Sequence, residues 1–355
     1  MKSLIQDLSI HTIVAATEEL PRHSEASILE LKDGRLLMAW QRHEKSGFGS
    51  GDQAPSTISL MNSNDNGTTW SNFRVAAAMI PGCVNVYSPT LYLCADGSIS
   101  LFFKRYTHLV LGEEQRNSYY RIDSYDEGET WSEETLIWEN AKHGAMNHAA
   151  KRIASGVTLL PIERSEAWGG PKDRSIVSVL RSEDDLHTWT ESNRISVPMR
   201  GLSEPCIAQH ADGSLHMVMR TQLGSVFHSF STDDGRTWSK PQATGLHAPE
   251  SCPCIATIPG TDAQLVVWNN SEYDMNWGHY GKRTPLTLAI SRDGLRTFSD
   301  YFNIETDPSR AFTNPSITIT SDGLFLLNYW SCKYSPDGIM GGPIDLKLAS
   351  FRINL

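Results

Sequence analysis

The chain has 355 residues, 39% of them hydrophobic, and its 31 Lys and Arg face 41 Asp and Glu for a formal charge of −10. That hydrophobic content supplies a sizeable buried core, while a negative balance without a Lys/Arg cluster excludes a nucleic-acid partner, whose phosphates need neutralisation. No apolar run reaches the ~20 residues of a membrane-spanning helix, so no membrane partner is expected.

The first segment, MKSLIQDLSIHTIVAATEEL, carries one Lys and breaks its apolar residues with Gln6, Asp7 and His11. That is not a signal-peptide pattern, so a cytoplasmic location is expected, and SIHTIVAA predicts a strand. LKDGRLLMAW follows, two β-prone runs about a DG turn at Gly34, and then SNDNGTTW from Ser63. The same alternation continues down the chain. Hairpin signals recur in CADGSISLFF (Gly97), IASGVTLLPI (Gly156), HADGSLHMVM (Gly213) and IPGTDAQLVVW (Gly260), and the aromatic turns SYDEGETW, SEDDLHTW, STDDGRTW and SRDGLRTF begin at Ser124, Ser182, Ser231 and Ser291. A sixth hairpin, TSDGLFLLNY at Gly323, has no aromatic turn after it, and the run LKLASFRI closes the chain.

The five aromatic turns lie roughly 50 to 60 residues apart, a repeat length typical of propellers and arrays. In each, an Asp accepts backbone N–H bonds, a Gly supplies positive φ, hydroxyls tie the two strands and the last aromatic anchors the sheet below. Asp65, Asp126, Asp184, Asp233 and Asp293 are therefore structural rather than catalytic. Leu186 replaces the usual glycine in the third copy and the fifth shifts its glycine by one, so these two turns are expected to be less regular.

Two hairpins per unit make a four-stranded antiparallel sheet, and six such sheets arranged radially predict an all-β, six-bladed propeller as one domain over residues 1–355. The last blade borrows LKLASFRI and the N-terminal SIHTIVAA as its outer strands, which leaves few free edges. No stretch sustains a helical period. Cys83, Cys94, Cys206, Cys252, Cys254 and Cys332 are expected as free thiols, and the CPC at 252–254 lacks a second ligand pair at zinc spacing. Neither metal nor cofactor is expected, and nothing in the sequence specifies an oligomeric state.

Folding each DG hairpin about its turn brings Glu204 near Arg220, Asn85 near His108, Asn147 near Arg164, and Glu250 near Asn269 and Asn270. The open ends are polar and the hairpin bodies apolar, so a polar pocket is expected where the innermost strands surround a common axis.

These repeats resemble the Asp boxes, or BNR repeats, of the sialidase (neuraminidase) superfamily, over nearly the whole chain. The resemblance implies three arginines on a substrate carboxylate, a Tyr nucleophile assisted by a Glu, and an Asp acid/base. Arg22 in PRHSEASILELKDG resembles the first arginine. GLSEPCIAQHADGSLHMVMRT resembles the Glu-to-Arg element, with Glu204 as the assisting carboxylate and Arg220 as the second arginine. Arg283 in KRTPLTLAISRDG resembles the third, and Asp52 in SGDQAPSTIS the acid/base. The catalytic Tyr position of AFTNPSITITSDG is Phe312, which has no oxygen to attack a sugar.

The reading that follows is an exo-acting glycoside hydrolase of sialidase type cleaving a terminal acidic sugar from an oligosaccharide or glycoconjugate. Asp52 and Glu204 would be catalytic, with Arg22, Arg220, Arg283, Asn147 and Phe312 binding substrate. Without the Tyr, three routes stay open. Water can displace the leaving group directly between Asp52 and Glu204. A base among His143, His148 and His279 can drive elimination from an acidic (uronic) sugar. The propeller can also bind an acidic glycan without chemistry. Trp168 and Trp277, beside glycines, either stack on the sugar or pack between blades.

Overall fold

The computed structural model of the protein describes residues 4–107, 117–141, 149–165 and 174–355. Its regular structure is almost entirely β: β1 (Ile5–Val14), β2 (Arg22–Glu30), β3 (Leu36–His43), β4 (Ser56–Ser63), β5 (Ser71–Ala77), β6 (Cys83–Leu93), β7 (Ile99–Thr107), β8 (Asn117–Ser124) and β9 (Thr135–Ala141). The chain continues with β10 (Lys151–Arg152), β11 (Thr158–Ser165), β12 (Ser175–Ser182), β13 (Thr190–Glu191), β14 (Ser203–Gln209), β15 (Leu215–Arg220), β16 (Ser225–Ser231) and β17 (Gln242–His247). Last come β18 (Cys254–Thr257), β19 (Gln264–Asn269), β20 (Leu286–Ser291), β21 (Ser299–Glu305), β22 (Arg310–Ile319), β23 (Phe325–Tyr334) and β24 (Met340–Ile353). A single 3-10 turn at Gly278–Tyr280 is the one helical element among the described residues.

Strands β6–β9, β10–β13, β14–β17 and β18–β21 form four separate four-stranded antiparallel sheets. The remaining strands join as one eight-stranded sheet, in which β22-β23-β24 and β2–β5 meet through a single parallel pair, Arg22 opposite Ile344. As expected, the N-terminal strand completes the last set: β1 pairs antiparallel with β24.

Chain contacts divide the molecule into two compact units. One holds residues 1–141, 316–335 and 340–355, the other residues 142–315 and 336–339. In the first unit, Leu37, Ala39 and Leu60 pack with Leu91, Leu101 and Phe103, and Ile28, Met38 and Trp40 pack with Leu326, Leu346 and Leu348. In the second, Leu159, Val177 and Val179 pack with Leu215 and Met217, and Val218 and Val226 with Val266 and Trp268. Within each unit two dry layers thus lie between successive four-stranded sets, and every Val, Leu or Ile in them contributes about 1.5–3 kcal/mol of burial.

All six DG-type hairpins form. Their glycines stand at φ 74° to 90°, and in five of them the residue three before the glycine donates N–H to the carbonyl of the residue after it, as Leu31 does to Arg35 at 2.7 Å. The fifth, with the extra residue of PGTD, closes instead from Ile258 to Ala263 at 2.9 Å.

The aromatic turns are more uniform than their sequences predict. In every copy the Ser hydroxyl donates to the Asp at 2.8–3.1 Å, and Asp accepts the Thr N–H at 2.8–2.9 Å and the Thr hydroxyl at 2.5–2.6 Å. The expected irregularity of the third and fifth copies is confined to one bond, the Asp N–H to the Ser hydroxyl at 3.3–3.4 Å, which the first, second and fourth copies make and these two do not. Leu186 and Leu295 adopt the glycine conformation (φ 71° and 64°) and donate N–H to their serines at 2.9 Å. Both side chains are buried, and that burial offsets the ~1–2 kcal/mol penalty of a left-handed leucine. The terminal aromatics are half-buried except Trp238, which is buried. All six cysteines are free thiols, with Cys252, Cys254 and Cys332 buried and the other three half-buried.

Candidate functional site

In the first unit, Arg22 opens β2 and is buried. Its Nη1 donates to Asp52 Oδ1 at 2.6 Å and to the Ser50 carbonyl at 3.1 Å, while Nε donates to Ser24 Oγ at 3.0 Å. Glu25 Oε1 lies 3.5 Å from Nη2, and the Trp330 ring centroid 5.6 Å from the guanidinium carbon. Burial alone lowers the Arg22 pKa, but the charges of Asp52 and Glu25 outweigh it and raise the value. Asp52 keeps 56% of its side chain exposed, so this pair has a buried cation and a carboxylate open to solvent. Asn85 donates Nδ2–H to the Asp52 carbonyl. Burial, then the Arg22 charge, pushes the pKa of His43 well below its ordinary value, so that ring is neutral beside Arg22.

In the second unit, Arg220 ends β15 and Glu204 lies at the start of β14. Arg220 Nη1 donates to Glu204 Oε2 at 3.0 Å, and Nη2 lies 3.3 Å from Glu250 Oε1 and 3.2 Å from His279 Nδ1. Glu250 also meets Arg200 Nη1 at 3.0 Å. Burial favours a protonated Glu250, but Arg220 and the surrounding donors hold its carboxyl far below the usual range; Glu204 and Glu250 in turn raise the Arg220 pKa against its own burial. Arg283 is buried, donating Nη1–H to Thr313 Oγ1 at 3.0 Å and Nη2–H to the Glu250 carbonyl at 2.9 Å. Two guanidinium groups, one at the end of β15 and one in the segment that leads into β20, are therefore fixed on one residue, Glu250. Beneath them Glu163, itself buried, accepts Ser203 Oγ–H at 2.9 Å and the Glu204 N–H at 3.1 Å.

The local backbone explains how these side chains are aimed. Glu25, Ser88, Glu204 and Asn314 take positive φ (52°, 56°, 51° and 53°) although none is glycine, and each is buried. The first three sit in bulges of β2, β6 and β14. Pro89, Pro205 and Pro315 follow three of these residues. A proline inside a strand has no N–H for the ladder, so the strand bulges there, and a bulge turns a side chain out of the alternating pattern. Left-handed non-glycine residues cost about 1–3 kcal/mol each and are concentrated at functional sites.

Of the cross-strand neighbours read from sequence, Glu204 and Arg220 meet, with register partner Ser203 rather than Glu204 because the bulge absorbs a residue. The other pairings need correction. Asn85 stands opposite Tyr106, not His108, since the bulge between Tyr87 and Thr90 shifts β6 against β7. β18 begins only at Cys254, so Glu250 is outside the ladder with Asn269, whose Nδ2 instead donates to the Phe312 carbonyl at 2.8 Å. Arg164 donates to Glu191 Oε1 at 2.5 Å. Asn147 lies outside the described residues, as do His108, His143, His148 and Trp168.

Phe312 places its backbone in the site, donating N–H to the Arg283 carbonyl at 2.9 Å, while its side chain is 1% exposed. Trp277 is half-buried against Gly338, where an added Cβ would come within 2.8 Å of its ring. The sequence reading did not assign Glu25, Ser88, Arg200 or Thr313 to the site. Ser88 Oγ donates to Glu25 Oε2 at 3.2 Å. The x-Pro steps within otherwise β-prone runs are the signal that marks Ser88, Glu204 and Asn314.

Residues 34–327 match the BNR repeat-like domain family, and the chain belongs to it. It is a BNR-repeat protein. Its fold superimposes over 97% of the chain on a protein of unknown function from Dyadobacter fermentans DSM 18053, covering 99% of that chain at a TM-score of 0.77 and 16% identity. It is similar to the NanB sialidase of Streptococcus pneumoniae (TM-score 0.73, 14% identity, 97% of this chain and 71% of that one). It is also similar to the intramolecular trans-sialidase of Ruminococcus gnavus (TM-score 0.72, 15% identity, 96% of this chain and 97% of that one). Among curated proteins, none matches the sequence.

Proposed function

We propose that the protein is a glycoside hydrolase of sialidase type that removes a terminal acidic sugar from a glycan. In this reading the six four-stranded sets form one six-bladed propeller and one domain, with Arg22, Arg220 and Arg283 anchoring the sugar carboxylate. The observation that carries it is the fixing of the half-buried Arg220 and the buried Arg283 on Glu250, at 3.3 and 2.9 Å. Guanidinium forks held in advance match a carboxylate bidentately and lose little entropy on binding. A phenylalanine at position 312 leaves no hydroxyl to form a glycosyl-tyrosine. Displacement by water, with Asp52 and Glu204 dividing the acid and base roles, is the route these residue types support. The exposed Asp52 carboxylate suits the group that meets water or the leaving oxygen.

The test is incubation with sialyl and uronyl oligosaccharides. Hydrolysis releases a saturated acidic sugar, elimination creates an ultraviolet-absorbing double bond, and a binding protein leaves the glycan intact. Arg220→Ala is expected to lower kcat/KM by at least about 100-fold, the loss of a charge-assisted bidentate contact of ~3 kcal/mol. Unchanged turnover in that variant would remove the arginine assignment.

A further inference from the structure

The segment between β19 and β20 is built to hold one imidazole in place. His279 and Tyr280 adopt consecutive left-handed conformations, φ 57° and 55°, and Gly281 follows at φ 145°, where an added Cβ would lie 2.5 Å from the Glu272 carbonyl oxygen. Such strain persists only when the surroundings over-determine it. Here the Tyr280 ring stacks on Tyr273 at 5.3 Å and 2°, Ser271 Oγ donates to the Lys282 carbonyl at 2.5 Å, and the Tyr280 N–H donates to the Trp277 carbonyl at 2.9 Å. The His279 carbonyl accepts the Glu250 N–H at 2.8 Å, which ties the loop to the residue that fixes both arginines.

The tautomer follows from the donors around the ring. Arg220 Nη2 bears two protons: one faces Glu250 Oε1 at 3.3 Å and the other His279 Nδ1 at 3.2 Å. A guanidinium nitrogen accepts nothing, so Nδ1 is the acceptor and a neutral imidazole carries its proton on Nε2. Arg283 first, then burial and Arg220, hold the His279 pKa down to about 4 against the pull of Glu250, so the ring is neutral near pH 7. Glu250 Oε2, at 3.4 Å from Nδ1, takes a proton from it only in the imidazolium. With 40% of its side chain exposed, His279 makes no hydrogen bond through Nε2 to any described residue. This tautomer disqualifies Nε2 as a proton-removing base and leaves a fixed donor.

We propose that His279 is a specificity-determining residue whose Nε2–H donates to the carboxylate of the acidic sugar beside Arg220 and Arg283. The inference rests on the acidic-sugar reading above. It adds a directed hydrogen bond without adding charge. As the pH falls toward 4 the ring gains a proton, which Glu250 accepts a bond from and which Arg220, Arg283 and Arg200 oppose, and the site becomes more cationic while a sialic carboxylate stays ionised. Glu204, paired with Arg220, is the other ionisable group facing this cluster.

The experiment is calorimetric titration of the full chain with the methyl α-glycoside of N-acetylneuraminic acid at pH 7 and pH 4.5, with circular dichroism to confirm folding. His279→Ala is expected to weaken binding about tenfold or more, the worth of a hydrogen bond to a charged acceptor. His279→Gln, whose amide can donate, restores it to within about threefold. Wild-type affinity rises at pH 4.5 and that of His279→Gln does not. Equal affinity of wild type and His279→Ala, or equal weakening by Ala and Gln, overturns the assignment. If Arg220→Ala loses the probe and His279→Ala keeps it, this inference fails and the acidic-sugar reading stands; a wild type that ignores the probe defeats both.

Discussion

Replacing Glu250 by glutamine keeps the shape of a side chain that meets two arginines in the second unit and removes its charge. Glu250 is 5% exposed and faces Arg220 at 3.3 Å and Arg200 at 3.0 Å. At an effective dielectric near 20, the attraction to Arg220 is worth about 4–5 kcal/mol before desolvation is set against it. Arg220 keeps Glu204 at 3.0 Å, and the amide oxygen still accepts, so roughly half of that is lost. Arg200, 45% exposed, adds under about 1 kcal/mol. The expected destabilisation at pH 7 is therefore about 2–4 kcal/mol, read as a lowered urea midpoint at unchanged slope. The pH dependence has a definite sign. The native carboxyl is depressed below its ordinary 4.5, so its stabilisation is complete above that value and disappears as the pH falls toward the native pKa. The gap between wild type and Glu250→Gln should be constant from pH 8 to about 5.5 and narrow below 4.5. An equal gap at pH 3.5 and pH 7 would refute the argument. The same variant should bind an acidic sugar about threefold more tightly, since a unit charge some 6–7 Å away in a water-like dielectric is worth ~0.6 kcal/mol. Stability and anion binding would then move in opposite directions.

Leu186→Gly relieves a left-handed leucine of ~1–2 kcal/mol but empties a buried site worth ~2–5 kcal/mol, so a net loss of about 1–3 kcal/mol is expected by denaturation; an equally stable variant would show that the turn, not the core beneath it, sets the cost. Phe312→Tyr places a hydroxyl on a ring that is 1% exposed and should lower stability by about 1–3 kcal/mol if the hydroxyl stays unpaired. No new retaining activity on a sialyl substrate is expected from it, and NMR detection of a retained anomer would show that the ring faces the substrate.

The repeats were legible because they obey local rules. A DG pair between apolar runs closes a hairpin wherever it occurs, and all six closed; a serine, an aspartate and a threonine at fixed offsets satisfy one another without reference to the rest of the chain. The site was legible only in part. Glu204 met Arg220 because both flank a short hairpin whose register the turn controls, whereas Asn85 missed His108 because each bulge slips the count by one. Glu250 stood outside its ladder for a related reason: Pro249 and Pro253 keep that segment from pairing, so hairpin symmetry does not place its side chain. The regularity of the third aromatic turn was hidden by reading Leu186 as a poor glycine when it is a buried leucine bearing glycine's φ.

The same backbone conformation does two jobs in this fold, and residue type separates them. At the hairpin tips the left-handed position is glycine, as at Gly34 and Gly213 (φ 85° and 89°), where an added Cβ would meet nothing within 4 Å. The chain uses glycine there because the conformation itself is the need. At Glu25, Ser88, Glu204 and Asn314 the position is occupied by polar side chains that bear the strain and are buried. Glycine would be easier at all four, so what the sequence retains is the functional group, aimed off the strand by a bulge. Glu25 and Glu204 each face an arginine, at 3.5 and 3.0 Å. Position 25 therefore belongs with position 204 in the machinery that orients arginines, although only the latter carries a proline after it to announce the bulge.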